Sequence, residues 1–172
     1  MTAGQRTVWT TAADHRIAAL AALAVTIHLA EAALPSPLPG FKPGLANVIT
    51  LVALFLHGWR VAVWVTGLRV LVAGLLLGTF LSPTFLLSLA GAAGALLALL
   101  VAHRLPGIGP LGLAILAALA HMTAQFLLAW WVFLPHPALP LLLPPLLAMA
   151  LVTGALSGTI ALMVLRRLRS EP

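Results

Sequence analysis

Hydrophobic residues run through this chain in long blocks, and the polar positions are gathered into a few short breaks between them. Six apolar runs stand out, at 17–34, 45–56, 61–81, 84–102, 111–134 and 141–165. A hydrocarbon layer about 30 Å thick takes about 20 helical residues, so runs of this length predict membrane-crossing helices. The second run is too short to span comfortably. The segment ahead of it, EAALPSPLPGFKPGLAN at 31–47, holds Pro35, Pro37, Pro39 and Pro43, which forbid helix and favour an extended path. It is expected to dip partway into the membrane against protein rather than lipid. Cleaner breaks fall at His57-Gly58-Trp59-Arg60, Ser82-Pro83, 103–110 and 135–140, and Pro144-Pro145 should mark the first turn of the last helix. The fold expected is all-α and integral to the membrane: a bundle of six transmembrane helices.

Composition sharpens this picture. Hydrophobic residues make up 62% of the chain, charged residues 7%, and the mean hydropathy is +1.14, so no water-soluble domain can be cut from it. The expected organisation is a cytoplasmic tail at 1–15, one membrane domain at 16–165 with a Pro/Gly-rich loop at 35–44, and a basic cytoplasmic tail at 166–172. The N-terminus lacks the short apolar run and small-residue cleavage site of a removable signal peptide, so the first helix reads as permanent. Without cysteine there are no disulfides, thiolate metal sites or cysteine nucleophiles.

Charge sets the orientation, because Lys and Arg are retained on the cytoplasmic side. With the N-terminus inside, the inner helix ends carry Arg6, Arg16, Arg60, Arg104, Arg166, Arg167 and Arg169, and the outer ends only Lys42. Topology and anionic lipid headgroups thus account for the net charge of +6, and no basic stripe interleaved with aromatics suggests nucleic acid. Trp59 and Trp64 should lie toward one membrane face, and Trp130 and Trp131 toward the other.

What remains inside the membrane is a short set: His28, Glu31, Lys42, Asn47, Arg69, His121 and Gln125. Arg69 lies about 13 Å along its helix from Arg60, near the midplane, where an unpaired guanidinium costs at least ~2.5–3.5 kcal/mol. It must face protein or water. His28 and Glu31 are three apart and His121 and Gln125 four apart, so each pair shares a helix face and can point at a common, outward-opening cavity. The competing reading is structural: a buried Glu31–Arg69 ion pair, with Asn47, His121 and Gln125 as interhelical hydrogen-bonding groups and Lys42 reaching the outer headgroups. The spacings Gly74/Gly78, Gly154/Gly158 and Ala18/Ala22 permit close helix contact, and internal packing is the expected use of most.

Taken together, Glu31, the string Pro39-Gly40-Phe41-Lys42-Pro43-Gly44-Leu45-Ala46-Asn47, Arg69, Gly78, Phe85, Ser88, Gly91, His121 and Gln125 resemble the Gx transporter family, also labelled heptaprenyl diphosphate synthase component I. The resemblance covers residues 16–165, and its most specific part is the PG-x-K-x-GLAN string. Pro43 stands where an aliphatic residue is expected, and Met122 follows His121 where a polar one is expected. That family in turn is similar to the substrate-binding S-components of energy-coupling factor importers. The resemblance implies a bacterial cytoplasmic membrane, both termini inside, and an outward-facing pocket capped by the loop after the first helix. It also implies that Ala18 and Ala22, with Thr26 beyond them, pack against a separate transmembrane coupling subunit driven by two cytoplasmic ATPases. The chain has no phosphate-binding loop of Walker type, so a partner would hydrolyse the ATP.

The expected function is binding of a small solute for import. Lys42 and Arg69 would hold it, Asn47, His121 and Gln125 would orient it, and Glu31 would bind an ammonium on it or position one of the cations. Pro39, Gly40 and Gly44 would shape the closing loop. Counting Glu31, Lys42 and Arg69 leaves the pocket at +1, which favours an anionic or zwitterionic solute. No cofactor or metal and no enzymatic activity are expected: the histidines lack metal-ligand spacing such as HExxH. Condensing allylic diphosphates needs clustered aspartates around magnesium, whereas Asp14, Glu31 and Glu171 are scattered. The alternative is a non-catalytic accessory subunit linked to heptaprenyl diphosphate metabolism or to a larger membrane complex.

Overall fold

The computed structural model describes residues 11–33 and 44–170, and it is helical throughout. Its elements are α1 (Ala12–Ala33), α2 (Ala46–His57), α3 (Trp59–Leu76), α4 (Pro83–Ala102), α5 (Pro110–Leu128) and α6 (Leu143–Ser170). Five of them, α1, α3, α4, α5 and α6, are long and apolar enough to cross a membrane. Leu76, Leu97, Val101 and Leu141 leave 63% to 77% of their surface uncovered, a degree of apolar exposure that suits lipid rather than water. The chain is a multi-pass membrane protein.

Local chemistry sets the helix ends. Ser82 caps α4 by accepting from the Phe85 N–H, with Pro83 at the first helical position where its missing N–H costs nothing. α3 stops at Leu76, short of the predicted 81, because Gly78 takes a left-handed conformation (φ 66°). Its N–H bonds Leu75 O at 3.2 Å, and the Thr79 N–H bonds Gly74 O at 2.9 Å, the Schellman closure of a helix. Gly78 is therefore a helix stop and not half of a Gly74/Gly78 packing pair; a Cβ there would meet nothing within 4 Å. Gly154 and Gly158 do pack internally, against α5. Ala18 and Ala22, by contrast, lie exposed on α1.

α5 widens after Leu128 into a π-helical turn (Ala129–Phe133), closed by the Leu134 N–H on Ala129 O at 2.9 Å, which carries Trp130 and Trp131. At the other end of the bundle Trp59 stacks on His103, ring centroids 6.4 Å apart. Pro144 and Pro145 fall in the first turn of α6, which continues to Ser170 and so takes Arg166, Arg167 and Arg169 into the helix.

The long helices form an arc, α1 beside α3, α3 beside α4, α4 beside α5 and α5 beside α6. α2 fills its concave side and touches α1, α3, α5 and α6. Ala46, Val48, Ile49, Thr50, Leu51, Val52, Ala53 and Leu54 of α2 are all buried, so this helix faces protein nearly all round and does not need to reach across the lipid. At 1.5 Å per residue its 12 residues cover about 18 Å. Gly58 (φ 85°) turns the chain straight from α2 into α3, and the two run back to back as a hairpin. α2 thus begins level with the middle of α3.

Candidate functional site

The start of α2 opens into a cavity of about 560 Å³, to which all six helices contribute. The lining comes from one end of the bundle: the last turns of α1, α3 and α5 and the first turns of α2, α4 and α6. α1 supplies His28 and Glu31, α2 Asn47, α3 Arg69, and α5 His121 and Gln125. Val70, Leu77, Phe85 and Met122 make an apolar portion. Of the residues expected to hold a solute, Glu31, Asn47, Arg69, His121 and Gln125 therefore share one cavity, and Gly44 joins them. Lys42, Pro39 and Gly40 lie outside the described residues.

The two charges are buried, Glu31 at 5% and Arg69 at 6% exposure. Glu31 Oε1 accepts from the Leu45 N–H at 2.6 Å, so the carboxylate caps α2 from a neighbouring helix and meets the positive end of its dipole. Arg69 Nη1 donates to Asn47 Oδ1 at 3.0 Å, and Arg69 Nε has no partner among the described residues. Among the described residues, each of these bonds goes to a neutral group.

His121 lies flat over the backbone of α4. A Cβ added at Gly91 would come 2.5 Å from His121 Nε2 and 2.6 Å from Cε1, so only glycine leaves room for the ring. His121 Nδ1 is buried without a partner among the described residues. Gly91→Ala is expected to push the ring out of its seat and lower stability by about 1–3 kcal/mol, the usual cost of overpacking. Thermal unfolding in detergent checks this, and an unchanged midpoint would mean that the ring turns away freely.

Beneath Arg69 and Asn47 lies a layer of hydroxyls that sequence reasoning missed. Thr50 and Thr66 share a hydrogen bond at 2.9 Å, and Ser157 donates to Gly44 O at 3.4 Å. A signal for part of it was present. Thr50 and Thr66 stand eight residues on either side of Gly58, and Asn47 and Arg69 stand eleven on either side. In a helical hairpin that turns at Gly58, equal spacing puts each pair at one depth.

A profile of the heptaprenyl diphosphate synthase component I family matches residues 20–164, most of the chain. The chain belongs to that family. No curated protein and no solved structure is significantly similar to it. In this family member, the described acids Asp14 and Glu31 stand near opposite ends of α1, about 25 Å apart along the helix. No three His, Asp or Glu side chains among the described residues gather closely enough to hold a metal ion.

Proposed function

We propose that this component I family member is the membrane-embedded solute-binding subunit of an importer, similar in role to an S-component, and that it is not itself an enzyme. One observation carries the reading: a cavity of about 560 Å³ inside a membrane bundle, walled by every helix, that holds a buried arginine whose Nε has no partner among the described residues. Its size falls within the about 300–1,000 Å³ usual for small-molecule sites. Ionisable groups at this depth are costly, and they are typical of substrate pathways. Arg69 would hold an anionic or zwitterionic solute, with Asn47, His121 and Gln125 orienting it, and with Lys42 and the Pro39–Gly44 stretch contributing from the adjoining loop.

In this reading the bundle has the S-component arrangement, with both termini in the cytoplasm of a bacterial cell and the cavity open to the outside. The exposed Ala18 and Ala22 on α1 form a smooth strip suited to a transmembrane coupling subunit, itself driven by ATPases. The family description gives a second reading, an accessory subunit of prenyl diphosphate synthesis. The wide separation of Asp14 and Glu31 favours a non-catalytic role there too, since a magnesium-bound diphosphate needs neighbouring oxygen ligands.

A thermal-shift screen of the purified protein against small acids, amino acids, vitamins and isoprenoid phosphates tests this, because a ligand of the folded state raises the unfolding midpoint by mass action. A specific stabilisation by one solute is expected. If no solute stabilises the protein and it is isolated instead in complex with a prenyl diphosphate synthase, the accessory reading replaces this one.

A further inference from the structure

Resting on the solute-binding reading above, we propose that the cavity takes a zwitterion with an apolar body, its ammonium toward Glu31 and its carboxylate toward Arg69. Apart from two histidines, the ionisable residues lining the cavity among the described residues are one acid, Glu31, and one base, Arg69. The two are opposite in sign. A zwitterion can offer each of these two fixed charges its opposite.

Among the described residues, both groups retain capacity of the right sign. A carboxylate accepts at about four lone-pair positions, and the Leu45 N–H takes one of them. A guanidinium has five N–H donors; one goes to Asn47, and Nε has no partner among the described residues. Because Glu31 is fastened to the start of α2 and Arg69 to Asn47 in its first turn, the same helix end fixes the spacing of the two charges. Beyond them Val70, Leu77, Phe85 and Met122 offer an apolar wall to the rest of the ligand. The Phe85 ring is kept there by Gly74, where a Cβ would come 2.7 Å from Cδ2. Ammonium, carboxylate and an apolar side chain on one small skeleton describe the apolar amino acids and their close relatives.

The test uses the full chain in detergent, with thermal shift and equilibrium dialysis. The probes are leucine, methionine, phenylalanine and tryptophan, each beside the acid that lacks its amine and the amine that lacks its carboxylate. At least one amino acid should bind tenfold or more tighter than either of its fragments. Glu31→Gln keeps an oxygen for the Leu45 N–H, and it should reduce that amino acid to the affinity of its acid. Arg69→Met should reduce it to the affinity of its amine. If an acid binds as tightly as its amino acid, the zwitterion is wrong and a pocket for anions remains. If none of the twelve probes binds, the zwitterion assignment falls, and a different solute found by the broader screen would still uphold the importer reading.

Discussion

Arg69→Met is expected to leave a less stable protein that no longer holds its solute. Methionine matches the length of the arginine stem, but it leaves Glu31 a buried charge without its counter-charge, so the fold is expected to lose about 3–5 kcal/mol of stability. Binding falls as well. Removing one partner of a desolvated charge pair costs about 2–5 kcal/mol, which is about a 30-fold or greater loss of affinity. Arg69→Lys should fall between the two, because an ammonium restores the charge but not the planar fork that bonds Asn47 and reaches the cavity with its other nitrogens. Dialysis with labelled solute measures the loss, and unfolding in detergent confirms that the variant is intact. Unchanged affinity in folded Arg69→Met would remove Arg69 from the site and return it to helix packing.

Gly154→Leu should damage the fold by forcing two helices apart. A Cβ at Gly154 would sit 2.8 Å from Ala118 Cβ, 2.9 Å from Ile115 Cα and 3.2 Å from Ala114 O. Two of those are backbone atoms of α5 and cannot turn aside. One turn on, a Cβ at Gly158 would meet Ala114 Cβ at 2.8 Å and Leu111 Cα at 3.0 Å, so the two helices touch backbone to backbone over two turns. Alanine at 154 should cost about 1–3 kcal/mol and leucine more, since the helices must part. Gly67 is the matched control: a Cβ there meets nothing within 4 Å, and Gly67→Leu should be tolerated. Equal midpoints for the 154 and 67 variants would mean that the α5–α6 contact is looser than the glycine geometry requires.

The helices were legible because lipid imposes one requirement along a whole segment, so each run of apolar residues announced a helix whatever it packs against. Their ends were less legible. The run through α3 stays apolar to Leu81, and only the backbone at Gly78 stops the helix at Leu76. The candidate cavity was legible in outline, since Glu31, Asn47, Arg69, His121 and Gln125 are polar where lipid would exclude them, and the structure gathers all five. Partnership was not. Glu31 bonds a backbone N–H, and every residue but proline carries one, so nothing in the sequence marks Leu45 as its partner. The contact of His121 with Gly91 was equally hidden, because a missing side chain reads as small long before it reads as a seat for a ring.

That α2 runs for only 12 residues also divides the thickness of the bundle into two electrical compartments. A polar cavity of about 560 Å³ has room for solvent, and a solvent-filled space would carry little of a transmembrane voltage. Most of the drop would then fall across the half that α2 fills with Leu51, Val52, Ala53 and Leu54. In the importer reading, a solute arriving at Arg69 would have crossed little of the field, and it would meet nearly all of it on leaving through the other side. For each net charge that passage is worth about 2.3 kcal/mol per 100 mV. A zwitterion would make the same passage at no electrical cost.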